Sequence, residues 1–348
     1  MKRQGSRNNF SKCEGSGNNF TKSEWRWSVA WLVVAVLGAA LAAGAAETAE
    51  GSFTRTLKVT GAVDLEVKTG AGSIQVRAGA ADTVQVLGKI RAKESWKSSL
   101  SAAERVKRLE ENPPIEQNGN IIRIGQIEDE DLRENVSISY ELVVPAETKL
   151  RSATGSGSQT VDGIKGPLEA STGSGALTLS NIGSDVRAST GSGGIELSSV
   201  QGNLKASTGS GAIRGTGVAC TVSASTGSGP ITIDKSGPGD VEVTTGSGGI
   251  EVNGVRGLLR ARTGSGSIRA EGQPTGEWNL HTASGSITVR LPAEFAFELS
   301  ARSSSGRIHS AHPVTVTGTL EHRELRGKVR GGGPLLALST SSGSIRIE

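Results

Sequence analysis

The sequence predicts an all-β protein built as a parallel β-solenoid, and three observations predict it. The tetrapeptide Thr-Gly-Ser-Gly begins at Thr154, Thr172, Thr190, Thr208, Thr226, Thr245 and Thr263, in steps of 18 or 19 residues. Apolar residues hold fixed positions on either side of each copy. The composition, 49 glycines in 348 residues with 3% aromatics, suits a narrow interior of small aliphatic side chains better than a thick core. Self-similarity at a fixed short period is the signature of solenoids, propellers and arrays.

With the threonine as position zero, side chains on a strand alternate between two faces. Position −4 is apolar throughout, from Leu65, Leu150, Leu168 and Val186 to Trp278, Leu299 and Leu336. Position −2 is aliphatic in every copy but one, Ser152, and position +5 is Ile or Leu in every copy but one, Gln159. Position +6 is polar in every copy, as at Thr178, Glu196, Arg214, Glu251 and Arg269. One face therefore looks into a core and the other into water. Relaxed copies at Thr282, Ser303 and Thr340, and one upstream at Thr69, keep the same register.

Each unit reads as strand, glycine corner, strand and second turn, the last marked by glycine at Gly183, Gly202 and Gly254. The corner motif is carried by Thr172, Gly173 and Gly175, by Thr190, Gly191 and Gly193, and by Thr208, Gly209 and Gly211. Its glycines supply either positive φ or close backbone approach. The threonines share a face with −4 and −2, so their hydroxyls are expected inside the corner, bonded to turn backbone. An antiparallel meander with the motif closing hairpins is the alternative. Like residues at like register with an even coil length select the in-register parallel stack, right-handed by the preference of parallel crossovers. Residues 150–348 are expected to form about eleven coils in a stack roughly 50 Å long, with an irregular coil near Leu320 filling the interval between Ser303 and Thr340.

Residues 1–27 carry Lys2, Arg3, Arg7, Lys12, Lys22 and Arg26 against Glu14 and Glu24, and read as a basic, disordered leader. Residues 28–46 are uncharged and apolar, which fits either a cleaved signal peptide ending in Ala43-Gly44-Ala45 or an uncleaved membrane anchor. Either way the repeats are expected outside the cytoplasm. The whole formal charge of +4 resides in the leader, so the exported part lacks the net basic character of a nucleic-acid reader. Cys13 and Cys220 form no disulfide framework, and Cys220 reads as buried packing.

Residues 47–149 form a β-rich capping region with an inserted helix. Leu100 to Glu111 is amphipathic, with Ser98 or Ser99 as cap and Pro113-Pro114 as stop. Ile115–Gln117 and Ile121–Ile124 flank Asn118-Gly119, a hairpin signal, and a strand follows over Val136–Val144. The segment is placed over the open N-terminal end of the stack, whose strand edges need covering.

The Thr69-Gly-Ala-Gly copy, the helical insert, the Asn118-Gly119 hairpin, the run Asn135 to Pro145, the Thr-Gly-Ser-Gly units, Gly331-Gly332-Gly333 and the closing Thr340-Ser-Ser-Gly-Ser-Ile345 occur in an order that resembles the DUF4097 family of bacterial β-strand-repeat proteins. The resemblance runs from Phe53 to Glu348. It implies an envelope-associated β-solenoid of adhesin type, with some relatives linked to envelope stress, and it transfers no catalytic or binding residue.

Among chemical readings, a polysaccharide-acting enzyme on a parallel β-helix is the alternative to a noncatalytic binding module or scaffold. Asp162, Asp185, Asp234 and Asp240 are scattered rather than paired as glycoside chemistry requires. Glu196 with Arg214, and Glu251 with Arg269, read as exposed cross-strand ion pairs. Calcium β-rolls need a periodic aspartate that this chain lacks, and His309, His312 and His322 are joined by no cysteine or carboxylate cluster. No cofactor is expected. A binding face remains: Ser171, Ser189, Ser207, Ser225 and Thr244 at −1 would form a hydroxyl row. The mostly long, charged groups beside it at −3, Arg151, Glu169, Arg187, Lys205, Ser223, Glu242 and Arg260, break a flat template, and the alternative is a solvated outer face whose mixed charge discourages association. The expected partner is an envelope glycan or protein, with membrane contact through residues 28–46 if uncleaved.

Overall fold

Strands that precede each corner stack on one another, and so do strands that follow it, giving two parallel sheets that share one interior. The computed structural model describes residues 48–316 and 323–348. The expectations for residues 1–27 and 28–46, and the site of Leu320, lie outside them. Among the described residues the leading sheet has 15 strands and the trailing sheet 14, and no helix is long and apolar enough to cross a membrane.

The register is the one the repeat dictates. Leu168–Thr172 pairs in parallel with Val186–Thr190, Thr172 opposite Thr190, and Val186–Thr190 pairs likewise with Leu204–Thr208. On the trailing sheet Leu177 lies opposite Ile195 and Ile195 opposite Ile213. The −4, −2 and +5 side chains are buried through the stack, Leu65, Ala170, Ile231 and Trp278 among them. Ile308 is the half-buried exception, on the terminal strand of the trailing sheet.

The two polar exceptions at inward positions meet. The Ser152 hydroxyl donates to Gln159 Oε1 at 2.5 Å, and Gln159 Nε2 donates to the carbonyl of Ser171. Both side chains are sealed from solvent, so each removes the desolvation penalty of the other.

The N-terminal cap does more than cover an edge. Asp64–Thr69 and Ile74–Gly79 form a true coil, stacked directly on Lys149–Thr154 and Gln159–Asp162 across the intervening chain. On its other side lies a further coil, Ile121–Ile124 in the leading sheet and Val136–Pro145 in the trailing one. Its corner is the segment Gly125–Asn135, which holds a second helix, Glu130–Arg133, beyond the single helix expected. Two antiparallel strands, Thr83–Lys93 and Thr48–Lys58, then extend the trailing sheet.

The helix Ala102–Glu111 begins later than expected and is capped by Ser101, not Ser98 or Ser99. Ser101 and Glu104 form a reciprocal capping box. The helix buries Ala102, Val106 and Leu109, and its Glu110 accepts the Ser52 N–H at 2.7 Å, occupying an edge donor of the outermost strand. Arg105 is fully buried, its guanidinium donating to the carbonyls of Lys93 and Glu134.

At the C-terminal end the expected sequential stacking fails. No extra parallel coil fills the interval between Ser303 and Thr340 among the described residues. Glu324–Val329 instead runs antiparallel along the outer side of Phe297–Ser303. Leu335–Thr340 then inserts between Trp278–Thr282 and Phe297–Ser303, and Ile345–Ile347 inserts between Ile287–Arg290 and Ile308–Ser310. The last coil in sequence is the penultimate coil in space. The register could not reveal this, because Leu336, Leu338 and Ile345 face the interior wherever in the stack their coil sits.

Candidate functional site

The corner threonines are structural, and their geometry shows how. Thr172 Oγ1 donates to Gly157 O of the preceding coil at 3.0 Å and accepts the Gly175 N–H of its own corner at 3.1 Å. Thr190, Thr208 and Thr226 repeat both bonds, and all four threonines are buried. A single hydroxyl thus ties each corner to the one before it. Close approach, not positive φ, explains the glycines. A Cβ on Gly175 would stand 1.8 Å from Gly157 O, and one on Gly173 2.4 Å from Gly155 O. Left-handed backbone appears instead at the second turn, at Asn181, Ser199, Gly217 and Gly254, a position that Gly254 marked in the sequence and that Gly183 and Gly202 did not.

The scattered aspartates are absorbed by the same coil-to-coil bonding. Asp162 Oδ1 accepts from Ser180 Oγ at 2.6 Å and Asn181 Nδ2 at 2.8 Å, and these two bonds hold its carboxyl below the usual aspartate range. Asp234 accepts from Asn253, Asp185 from Asn203, and Asp240 from the Leu258 N–H. Each is a turn clamp. Glu196 and Arg214 are register neighbours, as are Glu251 and Arg269, but neither couple closes to an ion pair among the described residues. Strand neighbours at exposed positions keep enough rotamer freedom that contact brings little gain. Cys220 is half-exposed rather than buried, its thiol directed at Gln201 O at 3.1 Å. Among the described residues no group of three or more His, Cys, Asp or Glu is placed to hold a metal ion. His312 is buried, edge-on to Phe297 at 5.5 Å, and His309 lies outward.

The predicted hydroxyl row forms. Ser171, Ser189, Ser207, Ser225 and Thr244 are direct register partners on successive strands of the leading sheet, on its outward face. Beside it runs a groove of about 550 Å³, lined by Lys149, Arg151, Glu169, Arg187, Lys205 and Ser223 among others. Its cations fall into two groups. Lys149 and Arg151 are both compensated by Asp64, at 3.0 and 3.8 Å. Arg187 and Lys205 are direct register partners, and neither closes an ion pair among the described residues. Like charges set opposite each other on neighbouring strands are destabilising. Glu169 is the other register neighbour of Arg187, so the couple brings two cations against one carboxylate at this part of the row. Asp64 comes from the remote first coil, which is why the sequence could align these cations but not tell which were neutralised.

Residues 183–348 match the model of the Toastrack DUF4097 family, the family the sequence resembles. Among solved structures the chain is similar to a candidate lipid-binding protein from Parabacteroides distasonis, at 19% identity and a TM-score of 0.44, over 68% of this chain and 96% of that one. It is similar to a candidate adhesin from Bacteroides fragilis at 14% identity and a TM-score of 0.30, over 86% and 97%. A candidate cell adhesion protein from Clostridium sporogenes matches at 11% identity and a TM-score of 0.22, over 86% and 99%. At such scores the likeness carries no argument about what this protein binds. No curated protein matches the sequence.

Proposed function

We propose that the protein is a noncatalytic, adhesion-type binding module of the bacterial cell envelope, exported through residues 28–46, whose partner is an anionic envelope glycan held along the leading sheet. One observation carries the reading: Arg187 and Lys205 stand side by side without ion-pair partners, at the margin of a groove and next to an aligned row of hydroxyls. Guanidinium and ammonium groups suit carboxylate or phosphate substituents. Hydroxyls repeating every ~4.8 Å suit the hydroxyls of a sugar chain. The aspartates that a glycan-cleaving enzyme would need are engaged in turn bonds on separate coils, which supports binding without turnover.

The test is retention on immobilised polygalacturonate at low ionic strength. The wild-type protein is retained, elutes as salt rises and leaves the polymer length unchanged. Arg187→Glu with Lys205→Glu abolishes retention without moving the melting curve. Equal retention of that variant, or shortening of the polymer, overturns the reading, and absence of retention in the wild type leaves a structural scaffold.

A further inference from the structure

The coil Leu335–Ile347 is flanked on both sides by coils that precede it in the chain. Before it docks, those two coils face each other across a gap one coil wide, with two rows of unpaired backbone groups. The docked coil satisfies both rows. Ile287 N donates to Ser344 O and Ile345 N to Arg307 O, while Thr340 Oγ1 donates to Gly285 O and Ser303 Oγ to Gly343 O. Leu336, Leu338, Ile345 and Ile347 complete the interior. Every one of these contacts is made by the coil itself, and none depends on which chain supplies it.

The covalent connection is one short reversal, Arg330 to Pro334, with left-handed backbone at Arg330, Gly331 and Gly332. Arg330 has a Cβ, so its φ of 52° is a conformation it adopts at a cost. Opening the reversal relieves that cost and extends five residues to roughly 17 Å, enough to carry the coil into a neighbouring molecule. Exchange of an identical element between protomers gives a closed two-fold dimer with no new interface chemistry. A coil inside the repeat array lacks this freedom, since its stack neighbours are also its chain neighbours.

We propose that the gap between the coils at Trp278–Arg290 and Phe297–Ser310 is a coil-acceptor site whose partner is the segment Leu335–Ile347 of a second copy of this chain, linking two molecules by reciprocal exchange.

The test uses the full chain with Cys13→Ser and Cys220→Ser. Ser300, on one wall of the gap, and Ala337, in the coil that fills it, are register partners on the outward face. Neighbouring strands ~4.8 Å apart lie within disulfide reach. One preparation carries Ser300→Cys and another Ala337→Cys, and the two are unfolded together, refolded as a mixture and oxidised. Exchange yields the 300–337 heterodimer in excess over both homodimers, in a fraction that rises with protein concentration. Random collision yields all three in statistical proportion, and that result, or no crosslink at any concentration, overturns the proposal. Deleting Gly331 and Gly332 in both preparations strains the return into the same chain, so the heterodimer fraction rises several-fold. No rise also overturns it. A chain carrying both cysteines gives an independent reading: exchange links part of it between copies at high concentration, whereas purely internal closure at every concentration counts against the acceptor site.

Discussion

Gly193→Ala adds one methyl group at the point where two coils come closest. The new Cβ would stand 1.8 Å from Gly175 O and 2.5 Å from its carbonyl carbon, both backbone atoms with no side-chain freedom to move aside. The corner must retreat by more than 1 Å, on the order of the gap to an ordinary contact of about 3.5 Å. That retreat pulls apart two bonds between the coils, Thr190 Oγ1 to Gly175 O at 2.9 Å and Gly191 N to Gly173 O at 3.0 Å, and distorts the bond within the corner, Gly193 N to Thr190 Oγ1 at 3.1 Å. Two or three bonds at about 1 kcal/mol each, with backbone strain of about 1–3 kcal/mol, give a loss of roughly 3–6 kcal/mol. For a protein of this size that lowers the melting midpoint by about 10 °C, and the damage spreads to adjoining coils because solenoid stability is a sum of nearest-neighbour terms. Gly194→Ala is the matched control. Its Cβ would lie 3.5 Å from Ala212 O, an ordinary contact, and the same position is already alanine at Ala176 and Ala212. Its stability should change by no more than about 0.5 kcal/mol. Thermal unfolding followed by far-ultraviolet circular dichroism reads both, with hydrogen exchange locating the loss. Equal midpoints for the two variants would refute the close-approach account of the corner.

Thr208→Val keeps the shape of the side chain but leaves Gly193 O and Gly211 N without their hydroxyl partner. Urea denaturation should show a loss of about 2–4 kcal/mol. Ser152→Ala alone orphans a buried Gln159 oxygen and should cost about 1–3 kcal/mol. Ser152→Ala with Gln159→Leu removes both polar groups and should recover most of that loss, a coupling that a double-mutant cycle measures. Tyr140 has a buried hydroxyl with no hydrogen-bond partner among the described residues, and burial pushes its pKa up. Tyr140→Phe should therefore leave the unfolding midpoint unchanged or raised. Asp162 is depressed in the fold below the ordinary value of 3.8 by its bonds to Ser180 and Asn181. Its contribution is thus fully present above that ordinary value and is lost as pH falls through the depressed one. Melting curves from pH 6 to pH 2, a range of order set by carboxylate titration, should converge for wild type and Asp162→Asn at the acid end.

The sequence by itself determined the unit of this protein. A rigid step with apolar residues at −4, −2 and +5 leaves one way to bury them, so strand ends, the inward threonines and the parallel register all followed from periodicity. The cap hairpin at Asn118-Gly119 was legible through its turn residues, with Gly119 at φ +60°. The outward hydroxyl row from Ser171 to Thr244 was legible for the same reason as the core. Tertiary structure decided what periodicity leaves degenerate. The coil at Ile121–Pro145 hid because the segment Gly125–Asn135 replaces its corner motif. Compensation of Lys149 and Arg151 by Asp64, against the open couple Arg187 and Lys205, depends on contacts between residues distant in sequence. The order of the last coils depends on which of two equivalent edges a segment reaches, and every coil offers the same edge chemistry. A repeat writes the same recognition code on each of its members, so the sequence fixes how a coil packs, and only the folded chain settles where.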